Sequence, residues 1–226
     1  MTQITNTDGK VEPVASFAAE IRQRSAQRHD DAEHSALMAA LVKGELPLED
    51  YARMVAQLYF VYGAIETAAG EMRDDPVAGP FIFDELTRLP ALRADLQVLL
   101  GDDWRDEIEP LSATVGYVAR VLHVTAQWPP LFLAHHYTRY MGDLSGGVFI
   151  GGAVRRAYNF TATSGAAFYE FEAIPSAKAF KEEYRRRLDA IPLDWEGRER
   201  FVSEVLRAYT CNTALMTELD EAFGGT

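Results

Sequence analysis

Between two apolar runs the chain carries Tyr137-Thr138-Arg139-Tyr140-Met141-Gly142-Asp143-Leu144-Ser145-Gly146-Gly147, inside a stretch whose spacing predicts one helix from Pro129-Pro130 to about Tyr158. Glycine within a helix costs about 1 kcal/mol relative to alanine. A fold that keeps Gly142, Gly146 and Gly147 within two turns has a use for bare backbone: close approach of another body, or a bend. Arg139 and Asp143 are four residues apart and share a face. A solvated ion pair needs no glycines around it. The pattern therefore points to a large flat ligand lying against exposed helix backbone with a polar group poised above it.

The remaining helix signals surround this segment. Ser16 is placed as an N-cap, with Glu20 in the first turn, and helical spacing runs through Phe17, Ile21, Ala32, Leu37 and Leu41 to a stop at Lys43-Gly44. A second helix from Pro47 puts Leu48, Tyr51, Val55, Leu58, Tyr62 and Ile65 on one face and ends at Asp74-Asp75-Pro76. Leu92, Leu96 and Leu99 mark a third, closed by Gly101. Ser112 is placed as the cap of a fourth, with Val115, Val118 and Leu122 as its expected buried side. After the polar turn Thr161–Gly165, Ser176 caps a helix carrying Phe180, Tyr184 and Leu188, broken by Pro192, and Asp194 opens a last one through Val202, Val205, Tyr209, Asn212 and Leu219. Phe168–Glu172 alternates briefly, too short and isolated to make a sheet. The expected fold is all-α, one domain over 16–226 behind a disordered lead-in at 1–15.

Composition narrows the function class. The net charge of −12, from 22 basic and 34 acidic residues, argues against a general nucleic-acid or anionic-membrane surface. The single cysteine, Cys211, forms no internal disulfide, there is no CxxC, and a reducing, cytoplasmic setting fits. Met1–Glu12 has no apolar core of a secretory signal, no apolar run reaches membrane-spanning length, and the C-terminal residues carry no anchor motif.

Several polar groups have two readings each. His29 and Glu33 lie four apart, so a carboxylate meets an imidazole: either a surface pair, or a histidine oriented to bind a metal through its other nitrogen. His135 and His136 point in different directions on a helix and cannot share a metal; one is expected in the core and one at the surface. Lys181, Arg185, Arg186 and Arg187 form either a solvated face beside Glu182 and Glu183 or a carboxylate-recognition cluster. Tyr62, Glu66 and Asn212 interrupt apolar faces and satisfy one another or anchor ordered water.

These residues together resemble the heme oxygenase family, most closely its soluble bacterial members, over about Phe17 to Phe223. Ala134–Gly147 matches the distal-helix signature and Ala26-Gln27-Arg28-His29-Asp30-Asp31-Ala32-Glu33-His34 the proximal-helix segment. The resemblance implies an all-α fold with heme b, substrate and prosthetic group at once, held between the two helices. It implies oxidative opening of the porphyrin with molecular oxygen, expected at the α-meso carbon, to biliverdin, carbon monoxide and ferrous iron. It also implies residue roles. His29 falls at the axial iron ligand and Glu33 at the carboxylate that orients it. Gly142, Gly146 and Gly147 fall where the distal backbone nears the heme, with Met38 and Ser145 as further heme contacts. Asp143 falls on the residue that holds distal water and supports oxygen activation, with Arg139, Tyr62 and Asn212 in its hydrogen-bond network. Tyr137, Arg22, Lys181 and Arg185 fall at propionate contacts.

Four positions depart from the family pattern: Val148 stands where glutamine is usual, Arg22 where many members have lysine, and Gly151-Gly152 adds to the glycine run. No flavin or nicotinamide motif is present, so electrons come from outside, a ferredoxin with its reductase being the expected donor to a monomeric protein. The competing reading is a heme-binding or heme-storage protein that leaves its ligand intact.

The axial role generates a direct test. His29→Ala should hold heme loosely and lose most oxygenase activity, and added imidazole should restore much of it by refilling the coordination site. An unchanged axial-ligand absorption spectrum and full turnover in the variant would remove His29 from that role.

Overall fold

The computed structural model describes residues 16–33, 35–161 and 164–224, without the side chains of residues 29–33, 223 and 224. The expected lead-in at 1–15 lies outside the described residues. Among those described, the regular elements are helices: α1 Phe17–Glu33, α2 Ala36–Lys43, α3 Leu48–Glu71, α4 Leu89–Leu100, the single turn α5 Trp104–Glu107, α6 Ser112–Gln127, α7 Pro129–Tyr158, α8 Ala177–Asp189 and α9 Trp195–Gly224. Short 3₁₀ turns lie at Gly79–Phe81, Asp84–Leu86 and Ala167–Tyr169, and the only strand-like feature is an isolated bridge between Thr161 and Ser164. No helix among the described residues is long and apolar enough to cross a membrane.

The long helices are arranged by their apolar faces. On α3, Tyr51, Val55, Leu58, Tyr62 and Ile65 are buried as the spacing predicts, and α3 packs on α4 and α6. α9 buries Phe201, Val202, Val205, Leu215 and Leu219 and packs on α1, α6 and α7. α7 is enclosed through its first half, where Leu131–Thr138 are all buried, and only its later turns reach solvent. The predicted punctuation holds where it is local. Ser176 accepts from the Ala179 N–H at 3.2 Å, Asp194 from the Gly197 N–H at 2.8 Å, and Gly44 ends α2 at φ 77°.

Three expectations are corrected. The helix expected over Phe17–Lys43 is two helices. Ser35 is extended (φ −72°, ψ 152°) and caps α2 by accepting from the Met38 N–H at 3.1 Å, while Asp220 on α9 accepts from the Ala36 and Leu37 N–H groups. The apolar spacing alone carries no sign of that long-range cap. On α6, Val115 and Leu122 are 52% and 47% exposed; Thr114, Tyr117, Val121 and Val124 are buried instead. Gln57, buried on α3, sets this rotation: its Oε1 accepts from the Leu111 N–H and the Thr114 hydroxyl, and its Nε2 donates to the Glu109 carbonyl. A threonine absent from the expected apolar face thereby belongs to the core.

The third correction concerns the histidine pair, both of which are buried. His135 Nε2 lies 2.8 Å from Glu204, whose carboxylate also receives two bonds from Arg120; His136 Nδ1 lies 2.8 Å from the Tyr184 hydroxyl. Two adjacent side chains can both be internal because α7 is surrounded over these turns.

Burial of His136 pushes its pKa down from 6.5 to about 3. The folded protein therefore leaves it neutral, while the unfolded chain protonates it below about pH 6.5. Stability held above pH 6.5 is lost as pH falls toward 3. His136→Gln should make the fall of unfolding free energy between pH 6.5 and 4.5 shallower by about 1.4 kcal/mol per pH unit, the weight of one proton. Denaturant titrations at stepped pH measure this, and parallel slopes for variant and parent would contradict it.

Candidate functional site

A cavity of about 560 Å³ lies between α7, α2, α3, α9 and the Ala167–Tyr169 turn. That is within the range of small-molecule sites, about 300–1,000 Å³. Its walls are mostly apolar: Met38 and Val42 from α2, Met54 and Leu58 from α3, Ile150 from α7, Phe168 and Tyr169 from the turn, Met216 from α9. Gly142, Gly146 and Gly147 line it as well.

The glycines divide into two kinds. A Cβ placed on Gly142 would meet nothing within 4 Å, and one on Gly146 only Ile150 Cδ1 at 3.8 Å. Packing within the protein does not require glycine at either position; both leave bare backbone toward open space. Gly151 differs, because a Cβ there would come within 2.7 Å of Tyr169 Cβ. That glycine serves a close approach between α7 and the 167–169 turn. The helix itself runs unbroken through all five glycines.

Above the bare backbone sits one polar network built from three helices. The Tyr62 hydroxyl, from α3, donates to Asp143 Oδ2. Arg139 Nε donates to the Tyr62 oxygen at 3.2 Å, and Arg139 Nη1 donates to Asn212 Oδ1, from α9, at 2.5 Å. Arg139 Nη2 stands 3.7 Å from Asp143 Oδ1, with the two side chains 11% and 13% exposed. Burial pushes the Asp143 carboxyl above its ordinary range, while the Arg139 charge and the Tyr62 hydrogen bond pull it part of the way back. Burial works against the Arg139 cation, but Tyr62 and Asp143 outweigh it and keep the guanidinium charged. Asp143, Arg139 and Asn212 all line the cavity.

Glu66 does not join Asn212. Its carboxylate receives the Arg88 and Leu89 N–H groups at the start of α4, with the Tyr140 hydroxyl at 3.4 Å.

A second polar group forms where α1, α7 and α8 meet, outside the cavity lining. Arg185 and Arg22 lie near Tyr137: burial raises the phenol pKa and the two cations oppose that rise. Arg185 Nε is buried without a hydrogen-bond partner among the described residues. An unpaired buried cation donor fits an acidic group on a ligand. Lys181 Nζ instead donates to Ser145 Oγ at 2.9 Å, and Ser145 in turn donates to the Met141 carbonyl at 2.7 Å. Lys181 thus ties α8 to the glycine-bearing part of α7. The backbone of His29 and Glu33 lies on α1, and their side chains lie outside the described residues.

Much of the cavity wall was not singled out by the sequence as part of a site, including Val42, Met54, Ile150, Met216 and the turn residues Phe168 and Tyr169. For the turn, the brief aromatic alternation at Phe168–Phe171 was the only available signal, and its spacing says nothing about which helix it faces.

The family model for heme oxygenase matches residues 15–218. The chain belongs to the heme oxygenase family. It is 38% identical over 209 residues to the heme oxygenase of Porphyra purpurea, covering 92% of this chain and 89% of that one. It is 37% identical over 205 residues to heme oxygenase 1 of Synechocystis, covering 91% and 85%. Among solved structures it superposes on Synechocystis heme oxygenase-1 in complex with heme with a TM-score of 0.88, at 36% identity over 93% of this chain and 95% of that one. The heme oxygenase of Leptospira interrogans gives a TM-score of 0.86 at 33% identity, over 90% and 100%. The residues present fit a heme: a mostly apolar cavity, glycine backbone open toward it, and, outside its lining, a buried donor at Arg185 with no partner among the described residues.

The open glycine yields a two-sided prediction. Gly142→Ala should raise helix stability by about 0.5–1 kcal/mol, since the added methyl meets no protein atom. The same methyl should weaken heme binding by about tenfold, or about 1.4 kcal/mol. Thermal unfolding of the heme-free protein and a heme titration read the two effects separately; a variant that loses stability, or binds heme unchanged, would contradict the assignment.

Proposed function

We propose that this chain is a heme oxygenase that opens protoheme with molecular oxygen and external electrons, giving biliverdin, carbon monoxide and ferrous iron. The observation that carries the reading is the Asp143–Tyr62–Arg139–Asn212 network over the bare backbone of Gly142 and Gly146, in a chain of this family.

Bound heme supplies the iron at which oxygen is reduced and the ring that is oxidised. The protein does the rest through position and proton supply. His29 on α1 would hold the heme iron and Glu33 would orient that histidine. The bare backbone of Gly142 and Gly146 would let the ring lie close to α7 and would limit the space left above it. Asp143 orders water at that face. A carboxyl raised by burial exchanges protons nearer neutral pH than an exposed one, which suits a group that relays protons through water. Tyr62 and Arg139 hold the carboxylate in place, and Asn212 holds Arg139.

Arg22, Tyr137, Arg185 and Lys181 would bind the propionates and so fix the rotation of the ring, which would present its α-meso carbon for opening. Lys181 already has a partner in Ser145, so ring binding exchanges one contact for another there. A ferredoxin with its reductase supplies the electrons to a cytoplasmic monomer. A non-degrading heme carrier needs the proximal site and the cavity but has no use for a buried four-residue network, which favours the enzyme.

Asp143→Ala separates the two. It should still bind heme, while biliverdin formation falls by about 10²-fold or more and peroxidase-like reactivity rises. Product analysis after mixing protein, hemin and a reductant in air measures both. Undiminished turnover in the variant would reject the network's role, and no biliverdin from the parent chain would reject the enzyme.

The basic segments make a second prediction. Arg155 is paired with Glu170, and Arg186 and Arg187 with Glu183, which leaves exposed Arg156 as the better candidate for docking an acidic electron carrier. Arg156→Glu should slow reduction by the protein donor, and the parent rate should fall as salt rises. Turnover with a small chemical reductant should hardly change. Equal rates with the protein donor in parent and variant would eliminate this face.

A further inference from the structure

Among the described residues four helices bound the cavity, and the one non-helical part of its wall is the short Ala167–Tyr169 turn, which contributes Phe168 and Tyr169. Within itself the turn has two backbone hydrogen bonds, Tyr169 N–H to the Ala166 carbonyl at 3.3 Å and Glu170 N–H to the Ala167 carbonyl at 3.0 Å, too few to fix its placement against the helices. What holds it lies behind it, away from the cavity. Asp95, fully buried on α4, accepts from the Ala167 and Phe168 N–H groups, each at 2.8 Å. The Tyr51 hydroxyl donates to the Gly165 carbonyl at 2.7 Å, and Arg88 donates to the Phe168 and Glu170 carbonyls. The front of the turn packs on the reactive side of the cavity. Phe168 meets the Tyr62 ring edge-on at 5.2 Å between centroids, and Tyr62 is the residue that holds Asp143. Tyr169 packs onto α7 at Gly151 so closely that a Cβ there would collide with it.

We infer that Asp95 is a positioning residue for the reaction: through the Ala167 and Phe168 amides it holds Phe168 and Tyr169 as a rigid non-helical wall, which sets how far a planar ring enters and which part of its rim lies beneath Asp143. This rests on the proposed heme-opening function. Asp95 touches neither the cavity nor the Asp143 network. Its influence passes through two backbone N–H groups to Phe168, and from Phe168 both to the wall and to the Tyr62 ring. A buried carboxylate carries a desolvation cost, offset here by hydrogen bonds from the turn. Its ionised form is acceptor-only and can take both amides at once; an asparagine in its place turns one acceptor into a donor that faces an N–H.

Amide hydrogen exchange in the heme-free protein tests the clamp apart from any turnover. In the parent, the Ala167 and Phe168 amides should exchange as slowly as those of the α4 core, and Asp95→Asn should speed them on the order of tenfold or more. Fast exchange in the parent overturns the clamp. The positioning role is read from the biliverdin regioisomers: one predominant isomer from the parent should become a mixture in Asp95→Asn, and likewise in Phe168→Leu, which shortens the wall directly and serves if Asp95→Asn does not fold. A single unchanged isomer from the variants overturns the role. If the parent forms no biliverdin, the proposed function fails and the inference about positioning fails with it, while the exchange data still decide whether Asp95 holds the turn.

Discussion

A charge pair largely removed from solvent at the middle of α7, Arg139 with Asp143, sets terms for the elements around it. Taking two charges out of water is expensive, and attraction between them offsets the cost only when their remaining hydrogen-bonding sites are also filled. Neither residue can meet that demand from α7 alone. Tyr62 must come from α3 and Asn212 from α9, so the pair ties three helices at one point. The cavity lies beside that point, which places its one strongly polar patch against otherwise apolar walls. Site and scaffold share the same bonds here, and a substitution in the network acts on both.

Around this centre the helices are held by carboxylates reaching across the fold to the N-terminal N–H groups of other elements. Asp189 receives Ala18 on α1, Asp220 receives Ala36 and Leu37 on α2, Glu66 receives Arg88 and Leu89 at α4, and Glu218 receives Ser112 and Ala113 on α6. Asp95 does the same for the turn at 167–169. A helix start exposes donors and carries partial positive charge, so an acid is the suitable partner. Part of the acidic excess that the composition presents as a surface property is thus spent inside the fold. The cavity walls contributed by α2 and the turn depend on two of these caps.

Local patterns were legible because their causes are local. The span of α7, the buried face of α3, the caps at Ser176 and Asp194, and the pairing of Arg139 with Asp143 all follow from helical spacing or from a side chain bonding its own neighbourhood. The glycines at 142 and 146 were legible as a demand for bare backbone, and the structure leaves both facing open space. The misreadings share one origin. Val115 is expected in the core and Thr114 goes unremarked because the partner that decides, Gln57, is fifty-seven residues away from Thr114. The break between α1 and α2 depends on Asp220, and the burial of both His135 and His136 on Glu204 and Tyr184.

The sequence by itself determined that the chain is helical, that one helix carries a glycine-exposed backbone with Arg139 and Asp143 on a shared face, and, through two ordered signatures, its family. Residue spacing and side-chain chemistry suffice for that, since a helix repeats on a scale that a short window covers. The family resemblance also placed Tyr62 and Asn212 in the Asp143 network; only the tertiary structure decided that Glu66 turns away from them to cap α4, and that Phe168 and Tyr169 close the cavity under the hold of Asp95. The reason is physical: a buried polar group must find a partner, many partners satisfy the same chemistry, and which one does so depends on the relative placement of segments far apart in the chain.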